Sequence, residues 1–141
     1  MPVGLILITH QNLGETLLQT ARSMLGELPD ACEALAMSQT DDPDVIEAKA
    51  RRRLEFLDSG EGVLILTDMF GSTPANVAGR LARDRQHRVI AGVNLPMLVR
   101  VLNYRDLSLT ELVNKALSGG HDGILLCDQE CSDAAARGSH R

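Results

Sequence analysis

Two residues able to do acid–base chemistry stand directly after two apolar runs. Val3-Gly4-Leu5-Ile6-Leu7-Ile8-Thr9 is followed by His10, and Val63-Leu64-Ile65-Leu66-Thr67 by Asp68. An imidazole titrates near neutral pH and its bare nitrogen is a nucleophile. A carboxylate beside it fixes the tautomer by taking the proton of one ring nitrogen, and it favours the charged ring. The surrounding residues suit an anion held briefly. Gly71-Ser72-Thr73 leads into a helix start, where unpaired N–H groups attract phosphate, and Thr73 adds a hydroxyl. Asn12, Asn76 and Asn94 offer amides without charge, and Arg100 is the one basic residue near these loops in sequence. The candidate catalytic pair is His10 and Asp68; the candidate phosphoryl ligands are Ser72, Thr73, Asn12 and Asn94.

Other chemistries fit less well. A serine hydrolase needs its nucleophile on an elbow such as GxSxG, which Gly71-Ser72-Thr73-Pro74 is not. Neither GxGxxG nor a Walker glycine-lysine run occurs, so nucleotide binding has no motif. A hydrolase built on His10 and Asp68 alone is a weaker reading, and flavin binding lacks the aromatic residues. From position alone, His10 reads equally as a surface-loop histidine and Asp68 as a simple helix cap. His87, in a polar connection, reads as exposed; His121 reads as structural, and His140 lies in the terminal tail. Cys32, Cys127 and Cys131 form no CxxC, so neither a disulfide framework nor a metal site is expected. Met69 and Phe70 either pack under the site or present an apolar docking surface.

The elements that must position these residues alternate. Strands are expected over 3–9, 32–37, 63–67, 88–92 and 121–127, and helices over 13–25, 44–57, 75–83, 96–101 and 108–117. Asn12 with Glu15 and Ser108 with Glu111 have the spacing of reciprocal helix caps, Pro43 and Pro74 suit first helical turns, and Gly119-Gly120 is expected to end the last helix. Continuous apolar strands need cover on both faces, so the fold class is α/β: a doubly wound, mostly parallel sheet with helices on both sides. In such sheets ligands gather outside the carboxyl ends of the strands, which is where His10 and Asp68 fall. The 141 residues suit one domain over 1–128 with a flexible tail over 129–141. A net charge of -5 and the absence of Trp argue against nucleic-acid binding. The basic run Lys49-Ala50-Arg51-Arg52-Arg53 reads first as a solvated helix face, and second as a patch for an acidic partner. No stretch is long enough to span a bilayer and the apolar start lacks a basic leader, so a cytoplasmic location is expected.

Three segments carry a resemblance. Ile8-Thr9-His10-Gln11-Asn12-Leu13-Gly14, then Thr67-Asp68-Met69-Phe70-Gly71-Ser72-Thr73-Pro74-Ala75-Asn76, then Val93-Asn94-Leu95-Pro96-Met97-Leu98 are similar, in order and spacing, to the enzyme IIA domain of the mannose-type family of the bacterial phosphoenolpyruvate-dependent sugar phosphotransferase system. The resemblance covers nearly the whole chain, through Asp128. It implies that His10 accepts a phosphoryl group on Nε2 from the histidine-containing phosphocarrier protein and passes it to an enzyme IIB component. Asp68 would hold the other ring nitrogen, and Thr73, where Ser is usual, would contact the phosphoryl group. Gln11 and Ser72 stand where Gly is common, and bear on loop shape and partner choice. The resemblance further implies no cofactor, association with a membrane permease only through partners, and a homodimer in which an antiparallel C-terminal strand is exchanged. A regulatory protein whose phosphorylation state controls binding to another protein, with no sugar permease of its own, is the alternative.

Overall fold

Apolar strands buried on two faces dictate a layered arrangement. The computed structural model describes residues 2–83 and 86–128. In chain order it contains β1 (Gly4–His10), α1 (Leu13–Leu25), β2 (Cys32–Met37), α2 (Pro43–Leu57), β3 (Val63–Thr67), α3 (Thr73–Leu81), β4 (Arg88–Ala91), α4 (Leu95–Asn103) and α5 (Leu109–Asp122). The strands form one sheet in the order β2-β1-β3-β4, and every pairing is parallel.

The two-residue period of the strands sorts the core. Leu5, Leu7, Leu64, Leu66 and Ile90 face one side, where α1, α4 and α5 cover them. Ile6, Ile8, Val63 and Ile65 face the other, against Ile46, Ala50, Leu54 and Leu57 of α2 and Val77, Ala78 and Leu81 of α3. Each fully buried Leu or Ile is worth about 1.5–3 kcal/mol. A one-residue slip would turn both sets of strand residues toward the wrong helices, so the register is strongly specified. In it, Ile8 lies beside Thr67. The chain leaves β1 toward α1 and β2 on one side, and β3 toward α3 and β4 on the other. The switch point is therefore the gap between β1 and β3.

The fifth strand expected over 121–127 is corrected. Helix α5 runs through Gly119-Gly120 to Asp122, so His121 is an exposed residue of its last turn. The two glycines do not end the helix; they let it lie close against α4. A Cβ on Gly119 would sit 2.7 Å from Arg100 Cβ, and one on Gly120 would sit 2.8 Å from Met97 Cε. Beyond Gly123 the described chain has no regular structure, and Ile124, Leu125 and Leu126 are 72%, 67% and 72% exposed. Cys127 is likewise exposed and outside any strand. The tail expected over 129–141, with Cys131 and His140, lies outside the described residues.

Local signals place the other elements. The reciprocal cap of Ser108 and Glu111 opens α5, and Asp42 caps α2 ahead of Pro43. On α2, Arg51 pairs with Glu47 at 3.0 Å and Arg53 pairs with Glu33, so these two members of the basic run are partnered at the surface.

Candidate functional site

Where β1 and β3 end, the ladder hands over to a side chain. The backbone N–H of His10 donates to Asp68 Oδ2 at 3.2 Å, and the His10 ring approaches the same oxygen through Nδ1 at 2.8 Å. An ionised carboxylate only accepts, so Nδ1 carries the proton and Nε2 holds the lone pair. Nε2 has no hydrogen-bond partner among the described residues. The His10 side chain is 45% exposed and the Asp68 side chain only 12%. Burial works against the Asp68 charge, but the hydrogen bonds from the His10 ring and backbone outweigh it, and the Asp68 carboxyl titrates below its ordinary value. It is a fixed negative charge behind a reachable ring.

His10 opens onto a cleft of about 360 Å³. Thr73 and Pro74 at the start of α3 form one wall. Met37, Ser38, Gln39, Asp41 and Pro43, from the β2–α2 connection, line the rest. That second wall was not singled out from the sequence. The Thr40-Asp41-Asp42-Pro43 turn marked a helix start, but only the strand order, with β2 beside β1, brings it to His10. The loop is shaped by Asp41, whose Oδ2 accepts from Ser38 N–H at 2.7 Å.

The expected phosphoryl ligands fall in different surroundings. Thr73 shares the cleft with His10 and is the first residue of α3, with Ser72 as its cap. Its N–H precedes the first intrahelical bond, so position alone leaves it unpaired within α3. The Ser72 hydroxyl donates to Met69 O at 2.6 Å and shapes the loop. Asn12 precedes α1, but its side chain makes no capping bond. Asn94 is committed to structure: its Oδ1 accepts from Met97 N–H at 2.9 Å, and its Nδ2 donates to Gly120 O at 3.1 Å. Arg100 is bound to α5 through Ser118 and Asp122, and is not among the cleft residues. Met69 and Phe70 are 64% and 89% exposed, so they do not pack beneath the site. No group of His, Cys, Asp and Glu suited to a metal ion occurs among the described residues.

His87 corrects another expectation. It is 7% exposed, and its Nδ1 accepts the backbone N–H of Val63 at 3.1 Å. It sits at the opposite rim of the sheet, where β3 begins.

The chain as a whole is similar to known proteins. Residues 4–117 match the family model EIIA-man, described as the PTS system fructose IIA component. The PTS system mannose-specific EIIAB component of Escherichia coli (strain K12) is 37% identical over 127 residues, covering 88% of this chain. The chain spans 39% of the length of that relative. The PTS system fructose-specific EIIA component of Bacillus subtilis (strain 168) is 34% identical over 86 residues, 60% of this chain and 59% of the relative. The solved mannose/sorbose specific IIA subunit of the phosphotransferase system from Enterococcus faecalis superposes with a TM-score of 0.81 at 30% identity, covering 91% of this chain and 96% of that one.

Proposed function

The chain belongs to the mannose/fructose-type IIA components of the phosphotransferase system, and from that premise we propose that it carries a phosphoryl group on His10 between two protein partners. The observation that carries the reading is the contact of Asp68 with Nδ1 of a ring that is nearly half exposed. The donor is the phosphohistidine of the histidine-containing phosphocarrier protein, and the acceptor is an enzyme IIB component serving sugar uptake. The lone pair of Nε2 attacks phosphorus. The phosphorus–nitrogen bond to the donor breaks, and the donor imidazole leaves with that electron pair. Asp68 orients the ring and offsets the positive charge that develops on it as the new bond forms. The N–H groups at the start of α3, the Thr73 hydroxyl and the Asn12 amide hold the non-bridging oxygens; Ser72 and Asn94 act by holding the loops. Transfer onward reverses the steps, so the bond must stay labile. No metal or cofactor enters the relay.

The same premise supports a cytoplasmic protein that meets a membrane permease only through its partners. It also supports a homodimer that exchanges the segment after α5, whose Ile124, Leu125 and Leu126 are open to solvent in the single chain. Incubation with labelled, charged phosphocarrier protein tests the reading. The chain should take up label and the His10→Ala variant should not; equal uptake by both overturns it.

A further inference from the structure

We propose that Thr9 is a positioning residue for His10, acting through a buried hydroxyl that ties the end of β1 to the first turn of α1. The role in transfer rests on the phosphoryl-carrier reading; the effect on the ring does not. Thr9 is fully buried. Its Oγ1 accepts the N–H of Gly14 at 2.8 Å and donates to the carbonyl of His10 at 3.3 Å. A buried hydroxyl is costly unless bonded, and this one is engaged as donor and acceptor at once.

The segment it spans carries the site. His10 is followed by Gln11, which takes a left-handed backbone with φ of 52°, and by Asn12, which has the position of a helix cap but makes no side-chain cap bond. Thr9 satisfies one of the first N–H groups of α1 in its place. Gly14 is part of the device. A Cβ there would lie 3.0 Å from Leu7 Cβ and 3.2 Å from Thr9 Oγ1, so the close seat of α1 on β1 needs the missing side chain. β1 is held between β2 and β3, so the hydroxyl lends the rigidity of the sheet to the turn. Asp68 Oδ2 receives both the N–H and the ring of His10, and both bonds require that the main chain at His10 stay in place. Thr9 touches no reacting atom. Its contribution is to keep Nδ1 on the carboxylate and Nε2 toward the cleft.

The test uses Thr9→Val, which keeps the shape and removes the hydroxyl, and Thr9→Ser, which restores it. Ring nitrogen NMR reads the His10 tautomer, amide exchange reads Gly14, and single-turnover labelling reads uptake. In Thr9→Val the ring should lose its preference for the Nδ1-protonated tautomer, and uptake should slow about tenfold at saturating donor with little change in KM. Thr9→Ser should keep the wild-type tautomer and rate. A Thr9→Val protein whose Gly14 amide exchanges faster while ring and uptake stay as in wild type overturns the proposal, since the hydroxyl then serves the helix alone. If Thr9→Val does not fold, Gly14→Ala keeps the hydroxyl and loosens its bond. It should show the same tautomer change and slowing, and wild-type behaviour in it overturns the proposal equally. Failure of the wild-type chain to take up label sinks the carrier reading instead, and the tautomer in Thr9→Val still decides the role of Thr9.

Discussion

The two rims of the sheet each hold a histidine near an aspartate, and they use the ring in opposite senses. At the carboxyl rim, His10 lines the cleft, donates through Nδ1 to Asp68 and has no partner for Nε2 among the described residues. At the amino rim, His87 accepts through Nδ1 from Val63 N–H and is nearly buried, which sets the proton on Nε2. The aspartates differ in the same way. Asp68 spends one oxygen on His10, whereas Asp58 accepts from Gly60 N–H at 2.8 Å and Gly62 N–H at 3.0 Å and also receives the Gln86 amide. Residue type alone does not make a site. A histidine becomes available for chemistry when its neighbour takes the proton on one nitrogen and nothing in the fold takes the other.

Single substitutions should separate the rims. The largest effect is expected at the reactive ring: His10→Ala should abolish uptake of label from the charged phosphocarrier protein while the chain stays folded by circular dichroism. Next, Asp68→Ala should slow uptake about 10²-fold, the range for loss of one group acting on a proton or developing charge. Its thermal unfolding should move less than in Asp58→Ala, because Asp68 holds one backbone N–H and a half-exposed ring where Asp58 holds two backbone N–H groups and the Gln86 amide. Asp58→Ala should do the reverse: uptake close to wild type, with stability to urea lowered by about 1–3 kcal/mol as buried or turn N–H groups lose their acceptor. Slowed uptake in Asp58→Ala and unchanged uptake in Asp68→Ala would break the distinction.

A smaller effect should appear in acid. Burial opposes the Asp58 charge as it does that of Asp68, but the N–H groups of Gly60 and Gly62 and the Gln86 amide outweigh it, so the Asp58 carboxyl, like that of Asp68, titrates below its ordinary value. A carboxyl lowered by folding adds stability that is complete above its unfolded value, near about pH 4, and is lost as pH falls through the lower folded value. Urea unfolding followed between about pH 3 and pH 7 should show stability falling on the acid side. Asp58→Asn and Asp68→Asn should each flatten that fall; an unchanged slope in both contradicts the assigned shifts.

The carboxyl rim was more legible in the sequence than the amino rim. Two apolar runs ending in His10 and Asp68 put residues suited to chemistry at strand tips, and parallel pairing with Ile8 beside Thr67 brings the tips together. Ser108 and Glu111 form the reciprocal cap their spacing indicates. Asn12 and Glu15 have the same spacing without the cap: Asn12 sits at φ -97° and ψ 24° rather than in the extended backbone of a capping residue, and the Gly14 N–H goes instead to Thr9 of the preceding strand. Gly119-Gly120 looked like a stop. Instead, α5 passes so close to α4 that side chains would collide there, a tertiary demand that no local pattern carries. His87 looked exposed because its neighbours in sequence are polar, yet its partner is the Val63 backbone, 24 residues away. The Ser38–Asp41 wall of the cleft depends on which strand lies beside β1, and strand order is likewise not written locally.

The most direct test of a reactive His10 and a structural His87 is to phosphorylate the whole chain with charged phosphocarrier protein, then locate the group by mass mapping and nitrogen–phosphorus NMR. The account predicts a single phosphoryl group on Nε2 of His10. A group on Nδ1 of His10, on His87 or on no histidine at all would contradict it.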